Sequence, residues 1–371
     1  TQKLFSSAQG WEMLHDLFPG GLMLRDFDDH RAHRRIMQTA FRKPVMDAYR
    51  SMLETATHEL IGAWSTSSAF AFYPDMTLRM GASVFMGLPL DDPRAIGLSD
   101  AFQAEVTAST GIIRKPLPFT AMRRGQKARI ELRKAFEAII PDRRQNPGND
   151  FFSQMVVAAD EDGNTWDTSE IVDHFNFLMM AAHDTTASAI TKLVWALAAH
   201  PERQDRLRAE AMALPDGPLD DAALASMADT DLALKEALRL LPPVPLIPRK
   251  AVRDFEWQGV HVPADSWVSA SPGVVMTSPD HWTDPHRFDP DRFGPDRAEH
   301  LSHRYAWVPF GGGAHKCIGL HFATMQVKIF MAAFLRRYRV SLASPSPTVW
   351  KRVPIPQPKG GLPVRLEHIS K

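Results

Sequence analysis

The feature that most constrains this chain is the stretch 310–319, which reads Phe-Gly-Gly-Gly-Ala-His-Lys-Cys-Ile-Gly. It contains Cys317, the single cysteine of the 371 residues. Successive glycines let the backbone take positive φ and approach a flat ligand closely, which residues with a Cβ atom could not do without strain. Apolar residues at helical spacing follow Cys317, which places it at a predicted helix N-terminus, where the helix dipole favours a thiolate.

A lone cysteine can have a purely structural role as well as a chemical one. By default it is a small buried side chain. A zinc site would need further cysteines or clustered histidines, and a phosphate loop would need Gly-Lys-Ser or Gly-Lys-Thr, neither of which occurs in this stretch. A thiolate in a glycine-rich loop with an aromatic neighbour suits the axial ligand of a haem iron.

Composition narrows the classes of function. Hydrophobic residues make up 44% of the chain, enough for a sizeable core, and 43 basic residues balance 43 acidic ones. This balance disfavours nucleic-acid binding. A single cysteine gives no sign of an oxidising compartment, no apolar run approaches the length that spans a bilayer, and the start lacks the form of a signal peptide. We therefore expect a cytoplasmic protein with no membrane segment.

The spacing Phe310-x-x-Gly313-x-His315-x-Cys317-x-Gly319 resembles the haem-thiolate signature of the cytochrome P-450 family. The resemblance implies a haem b cofactor whose iron is bound by Cys317, with Phe310, His315 and Gly319 in contact with the cofactor. Family members carry His or Arg at the position of His315. Histidine keeps a hydrogen-bond donor to a haem propionate but makes the charge depend on pH.

Residues 30–41 are predicted to form a basic helix in which His30 and Arg34 lie one turn apart on one face. Taken alone, such a face is most often simply solvated. The resemblance gives it a function, because the family has a helix with His or Trp, then Arg four residues later, before a terminal Phe, that binds the propionates. His30, Arg34 and Phe41 match its His form, and Arg249 matches a further propionate ligand.

The motif Asp167-Thr-Ser-Glu170 is a capping signal that predicts a long helix ending near Ala199, before His200-Pro201. Polar residues at the centre of this apolar helix would be costly unless they are satisfied. Threonine can bond to the carbonyl one turn earlier and open a small polar notch.

The polar centre of the long helix is Asp184-Thr185-Thr186. Taken alone, this run is more often a solvent-facing turn. Next to a haem cysteine it resembles the acid–alcohol pair of the family, which implies that Thr185 holds dioxygen and Asp184 relays protons. Ala182 stands where the family usually has glycine, and we expect this to narrow the notch.

Glu236-Ala-Leu-Arg239 lies in a helix predicted over Ala228–Leu240, and Phe288-Asp-Pro-Asp-Arg-Phe293 follows later in the chain. A Glu and an Arg three residues apart share a helix face in most proteins by chance. In this order the motifs resemble the Glu-x-x-Arg helix and the meander of the family, which implies a Glu236–Arg239–Arg292 network. Its expected role is to fold the loop that carries the haem ligand.

The resemblance extends from about Phe5 to the C-terminus and implies a mainly α cytochrome P-450 fold with a small β region, forming a single domain over residues 1–371. Two helices, around residues 99–113 and 119–137, are expected to cover the substrate. Tyr73-Pro74 is one predicted helix break, and the tail with Val349 and Val353 is predicted to form short strands. Because only residues 1–29 precede the basic helix, we expect this sequence to lack part of the N-terminal segment of the family.

The implied reaction inserts one atom of O₂ into a hydrophobic small molecule, such as a fatty acid, terpenoid, retinoid or steroid. The enzyme is expected to be a monomer that takes electrons from NAD(P)H through an external reductase and ferredoxin or flavodoxin. Two alternatives stay open: a peroxide-dependent or rearranging haem-thiolate enzyme, against which Asp184-Thr185 argues, and a non-catalytic haem sensor or carrier.

Two further sets of residues are predicted from their positions in the chain. Basic residues suited to an acidic redox partner are Arg34, Arg35, Arg42, Lys43 and Lys316. Residues expected to line an apolar substrate pocket are Trp11, Leu14, Phe18, Phe177, Ala181, Val244, Leu246 and Ile355.

Overall fold

The computed structural model describes residues 3–62, 84–88, 92–344, 348–352 and 354–369. The chain forms two compact units, each drawn from three segments. The first unit comprises Thr1–Tyr49, Gly81–Ala181 and Leu246–Ala270, and the second comprises Arg50–Met80, Ala182–Pro245 and Ser271–Lys371. The predicted break at Tyr73-Pro74 and the predicted strand residue Val353 lie outside the described residues.

Helices dominate the described residues, as the sequence predicts. The α-helices are Ser7–Gly10, Phe27–Thr39 (the basic helix), Lys43–Gly62, Pro93–Ser109 (the Pro93 helix), Ala121–Gln145 (the Ala121 helix), Phe151–Val156, Thr168–Ala199 (the long helix), Pro201–Ala213, Asp221–Ser226, Ala228–Leu240 (the Glu236 helix), Pro272–Val275 and Leu320–Arg337 (the Leu320 helix). Short 3₁₀ helices lie at Glu12–Leu14, Leu22–Leu24, Pro290–Phe293, Glu299–Leu301 and Gly313–His315.

The strands are short and antiparallel. In the first unit, β1 (Phe5–Ser6) pairs with β2 (Ile247–Ala251), β2 pairs with β5 (Trp267–Ala270), and β3 (Phe255–Trp257) pairs with β4 (Val260–Val262). Arg249 therefore lies on the middle strand of a three-stranded sheet, opposite Val268. In the second unit, β6 (Tyr338–Leu342) pairs with β9 (Val364–His368), and β7 (Trp350–Lys351) pairs with β8 (Gln357–Pro358).

The long helix begins as its capping signal predicts. Asp167 Oδ1 accepts a hydrogen bond from the backbone N–H of Glu170 at 2.8 Å, and Glu170 Oε2 accepts one from the backbone N–H of Asp167 at 3.0 Å. This reciprocal pair satisfies N–H groups that the helix itself leaves open. The helix ends at Ala199, and Pro201 opens the next helix at its first turn, where a proline is tolerated.

The interior of the first unit is closely packed around the first half of the long helix. A Cβ atom on Gly125 of the Ala121 helix would lie 2.4 Å from the Cβ of Ala108, so the Pro93 and Ala121 helices meet at a point where only glycine fits. Phe175 of the long helix packs against Phe136 and Phe152, with ring centroids 5.0 and 4.6 Å apart. These contacts join four helices: the Pro93 helix, the Ala121 helix, the helix Phe151–Val156 and the long helix.

Some predicted helix boundaries were wrong by several residues. The Ala121 helix does not begin at Phe119, because Phe119 takes a left-handed φ of 66° and the hydroxyl of Thr120 caps the helix by accepting from the backbone N–H of Arg123. The basic helix ends at Thr39, so Phe41 lies beyond it. Boundaries depend on local caps and turns that hydrophobic periodicity does not record.

One helical stretch, Gly313–Arg337, is long and apolar enough to span a membrane by length and composition, contrary to the expectation from the sequence. However, 61% of its apolar window is buried inside the protein. Phe330, Phe334 and Leu335 have no exposed surface. Burial of this kind is that of a core helix, and it explains the apolar composition.

Candidate haem site

The loop that carries Cys317 takes the backbone form expected of its glycines. Gly311 and Gly313 have φ values of 68° and 66°, in the left-handed region that glycine enters without steric cost. The backbone N–H of Cys317 donates to the carbonyl oxygen of Phe310 at 2.9 Å, which closes the loop. The side chain of Cys317 is exposed, so the default of a buried cysteine does not apply.

Cys317 lies just before the Leu320 helix rather than within it. The helix begins at Leu320 with Gly319 as its N-cap, and His315 lies half-buried in the preceding 3₁₀ helix. Eleven residues of the Leu320 helix are buried, so the helix is anchored over much of its length. The cysteine loop is thus held at the start of a rigid element of the second unit.

In the first unit, His30 and Arg34 of the basic helix lie near Arg249 of the strand β2, with Asp26 and Asp29 also close to His30. Burial, together with the nearby charges of Arg34 and Arg249, lowers the pKa of His30 to about 4, against the opposing effect of Asp26 and Asp29. Burial also lowers the pKa of Arg249, whose Nη1 donates to the carbonyl oxygen of Pro248 at 2.8 Å. The structure thus brings together three of the four residues that the sequence resemblance assigns to the propionates, His30, Arg34 and Arg249.

Asp184 and Thr185 are half-buried in the part of the long helix that belongs to the second unit. The carboxylate oxygen Oδ1 of Asp184 lies 2.9 Å from Nδ1 of His183, whose side chain is 4% exposed. Sequence reasoning missed this neighbour, although the polar His-Asp step in an apolar helix was a visible signal. Three residues beyond Thr185, the hydroxyl of Ser188 donates to the carbonyl oxygen of Pro356 at 2.5 Å and ties the helix to the tail.

Glu236, Arg239 and Arg292 form a network with no exposed surface. Arg239 donates through Nε to Glu236 Oε2 at 2.6 Å and through Nη2 to Oε1 at 2.9 Å. Arg292 donates through Nε to Glu236 Oε1 at 3.1 Å. The helix motif and the later meander therefore meet in the interior of the second unit.

The network has further partners that the sequence did not indicate. Arg292 Nη1 also donates to Glu299 Oε2 at 2.7 Å, and Arg239 Nη1 donates to the carbonyl oxygen of Met276 at 2.7 Å. The guanidinium of Arg239 lies 4.9 Å from the ring centre of the buried Trp282. These partners come from irregular segments whose sequence has no periodic signal.

The predicted pocket residues divide by burial. In the first unit, Leu14, Phe18 and Phe177 are buried, and Trp11 and Ala181 are half-buried. A Cβ atom on Gly21 would lie 2.3 Å from Cγ of Phe177. The loop between the 3₁₀ helices Glu12–Leu14 and Leu22–Leu24, called the early loop below, therefore rests directly on the long helix. The remaining candidates are Val244 and Ile355, both half-buried, and Leu246, which is exposed.

The basic residues expected to meet a redox partner also divide between the units. Arg35, Arg42 and Lys43 are exposed in the first unit, where Arg34 is half-buried, whereas Lys316 is exposed in the second.

The residues present fit a haem held by one thiolate. In the second unit, Cys317 offers an exposed sulfur on a glycine loop, which suits the thiolate ligand of a haem iron. In the first unit, taken by itself, Arg34 and Arg249 lie near His30 and suit carboxylate groups. Within residues 3–62, 84–88, 92–344, 348–352 and 354–369, no group of three His, Cys, Asp or Glu side chains is placed to hold a bare metal ion.

Comparison with known proteins also identifies a haem-thiolate family. The family model described as Cytochrome P-450 matches residues 12–361. Cytochrome P-450 136 of Mycobacterium tuberculosis is 40% identical over 369 residues, covering 97% of this chain and 75% of that protein. The sterol 14alpha-demethylase of Mycolicibacterium vanbaalenii is 28% identical over 353 residues, covering 92% of this chain and 78% of that protein.

A solved structure extends the likeness to the fold. The retinoic acid-bound cyanobacterial CYP120A1 matches with a TM-score of 0.89 and 28% identity, covering 99% of this chain and 85% of that one. The predicted mainly α fold with a small β region is confirmed by this likeness. This chain belongs to the cytochrome P-450 family of haem-thiolate monooxygenases.

Proposed function

We propose that this enzyme inserts one oxygen atom from O₂ into a hydrophobic small molecule of the fatty acid, terpenoid, retinoid or steroid type. Its electrons come from NAD(P)H through an external reductase and a ferredoxin or flavodoxin, in the cytoplasm. The observation that carries the proposal is the exposed thiol of Cys317, the sole cysteine, on a glycine loop at the start of a buried helix.

Cys317 would bind the haem iron, with Phe310 and Gly319 against the cofactor and with His30, Arg34, Arg249 and His315 as partners of its propionates. When bound, a haem with a thiolate ligand supplies the activation of O₂, because electron donation by the thiolate favours O–O cleavage. Arg249 supports the assignment of the propionates, since it is partly desolvated by burial and gains from an added carboxylate.

Asp184 and Thr185 would control proton transfer during the reaction. The hydroxyl of Thr185 can donate a hydrogen bond to the oxygen atom that is to be protonated, and the carboxyl group of Asp184 can hold and pass on the proton. Nδ1 of His183 lies 2.9 Å from Asp184 Oδ1. Both Asp184 and Thr185 are half-buried, which limits the access of bulk water to them.

The apolar character of the substrate has two supports. Leu14, Phe18 and Phe177 form buried apolar surface where the early loop meets the long helix. Among the relatives, one is named for a sterol and one structure contains retinoic acid, both of them apolar molecules with few polar groups. The exposed Arg35, Arg42 and Lys43 suit an acidic electron donor.

The test is product formed per NADPH oxidised, with a general ferredoxin and reductase system, a panel of the four substrate types, and hydrogen peroxide measured alongside. Thr185→Ala should keep haem and substrate binding and still consume NADPH, but the reduced oxygen should leave mainly as hydrogen peroxide. Asp184→Asn should lower the overall rate by about 10²-fold, as for other positioned acid–base groups. Thr186→Ala removes the neighbouring hydroxyl and serves as the matched control, with coupling expected near that of the wild type.

Three outcomes would contradict the proposal. Coupling as tight as in the wild type for Thr185→Ala would remove the assignment of the acid–alcohol pair. Product from hydrogen peroxide alone, with none from NADPH, would indicate a peroxide-dependent enzyme. Haem binding and ligand-induced spectral shifts without product from either oxidant would indicate a sensor or carrier.

A further inference from the structure

A polar pair lies inside the apolar interior of the first unit. Glu105 belongs to the Pro93 helix and has no exposed surface, and Asn176 belongs to the long helix and is 5% exposed. Nδ2 of Asn176 donates a hydrogen bond to Oε1 of Glu105 at 2.9 Å. This bond links two helices through residues 71 positions apart in the chain.

The other oxygen of each group is buried and has no protein partner. These atoms are Oε2 of Glu105 and Oδ1 of Asn176. If Glu105 were ionised, both atoms would be acceptors only, and neither could satisfy the other. Buried acceptors without a donor are rare in folded proteins, because each loses its bonds to water without a replacement. Two such acceptors on adjoining groups therefore require an explanation.

The charged groups that act on Glu105 do not neutralise a carboxylate there. Arg129 of the Ala121 helix and Asp173 of the long helix act in opposite directions, and Arg129 Nη2 lies 3.6 Å from Oδ1 of Asp173. Asp173 also attracts Arg133, whose Nη1 lies 3.5 Å away, and Arg25. Burial dominates and raises the pKa of Glu105 from 4.5 to about 8.

We propose that Glu105 is protonated in the folded enzyme at neutral pH and forms a cyclic, doubly hydrogen-bonded pair with Asn176. Nδ2–H of Asn176 donates to Oε1 of Glu105, and the added proton on Oε2 of Glu105 is donated to Oδ1 of Asn176. Both buried oxygens then have a partner, and no charge is left in the apolar interior.

The Glu105–Asn176 pair positions the part of the long helix that carries Phe177, a predicted pocket residue. It fixes the Pro93 helix against the turn of the long helix that carries Phe177, the neighbour of Asn176 and the residue on which the early loop rests. Loss of the proton would leave two acceptors facing each other and weaken this link between the helices. Glu105 and Asn176 are therefore positioning residues, and the proposal concerns the folded holoenzyme before any substrate binds.

Infrared spectroscopy of the holoenzyme tests the proton directly. Glu105→Gln keeps the size of the side chain and both hydrogen bonds but cannot titrate, and Glu131→Gln, at an exposed position of the Ala121 helix, is the matched control. At pH 6, the wild type should show the carbonyl band of one carboxylic acid, sensitive to D₂O, that Glu105→Gln lacks and Glu131→Gln keeps. The band should disappear as pH rises, with a midpoint near 8. A wild-type minus Glu105→Gln spectrum that contains only carboxylate bands at pH 6 would overturn the proposal.

A second variant tests the partner. Asn176→Leu removes the donor to Oε1, so the carboxylic acid band should persist and shift to higher wavenumber, because its carbonyl has lost a hydrogen bond. Asn176→Ser, which is smaller, replaces it if the leucine variant does not fold. An unshifted band would show that Asn176 does not share the proton and would overturn the pair.

Discussion

Two glutamates with no exposed surface, Glu236 in the second unit and Glu105 in the first, are treated in opposite ways by their surroundings. Glu236 receives hydrogen bonds from two guanidinium groups and from the backbone N–H of Asp289 at 2.9 Å. Glu105 receives one, from an amide. The comparison teaches that burial alone does not fix the environment of a carboxyl group: Glu236 has cationic donors on both sides, whereas Glu105 has a single neutral donor.

The difference follows from the cost of burying charge. A buried ion pair offsets its desolvation only when the geometry is good and the remaining lone pairs are satisfied. Both oxygens of Glu236 meet this condition, whereas Oε2 of Glu105 meets it only after taking up a proton. The first arrangement is sensitive to loss of a partner, and the second is sensitive to pH.

The largest effect should come from breaking the charged network. Glu236→Ala leaves Arg239 and Arg292 as buried charges without their shared carboxylate, which typically costs about 3–5 kcal/mol. We expect misfolded or haem-free protein, measured as haem content and as the midpoint of denaturant unfolding. Glu131→Ala is the control at an exposed site. Normal haem content and a midpoint equal to that of the control would show that the network does not support the fold.

The neutral Glu105–Asn176 pair should make the free energy of unfolding depend on pH. Because the pKa of Glu105 rises from 4.5 in the unfolded chain to about 8 in the folded one, only the folded state holds the proton between these values. The contribution of this proton to the free energy of unfolding is complete below pH 4.5. It declines by about 1.4 kcal/mol for each pH unit as pH rises toward 8. The unfolding free energy of the wild type should decline relative to Glu105→Gln over this range. Parallel profiles would mean that Glu105 is ionised when folded.

An exposed ion pair supplies the low end of the comparison. Asp291, the neighbour of Arg292 in the chain, accepts hydrogen bonds from both terminal nitrogens of Arg203, at 2.8 and 2.5 Å, but its side chain is 48% exposed. Pairs in water contribute about 0.2–1 kcal/mol because solvent and salt screen them. Asp291→Asn should therefore shift the denaturant midpoint only slightly, and less in high salt. A loss as large as that of Glu236→Ala would show that geometry outweighs burial here.

Local signals in the sequence predicted much of the fold. The capping signal located the start of the long helix, the proline at 201 located its end, and the Glu236 helix was predicted at its observed bounds, Ala228–Leu240. The motif around Cys317 predicted its loop, because glycines at Gly311 and Gly313 have few structural uses besides positive φ. Such signals act over a few residues, so a single sequence is enough to read them.

Contacts between distant segments were beyond the sequence alone. The partnership of Arg292 with Glu299 depends on an irregular loop, and that of Glu105 with Asn176 depends on how two helices cross. One signal for Glu105 was present: it lies at helical spacing from the apolar residues Phe102 and Ala108, on a face that is buried. An acidic residue in an apolar stripe indicates a buried carboxyl group, but the sequence does not name its partner.

The most direct measurement of the central claim is the absorption spectrum of the reduced, CO-bound enzyme with and without Cys317. The wild type should show the red-shifted Soret band of a thiolate-bound haem. Cys317→His replaces the thiolate by a neutral imidazole, so haem should still bind while the red-shifted band and oxygenation are lost. Retention of that band in Cys317→His would show that Cys317 is not the iron ligand and would contradict the account.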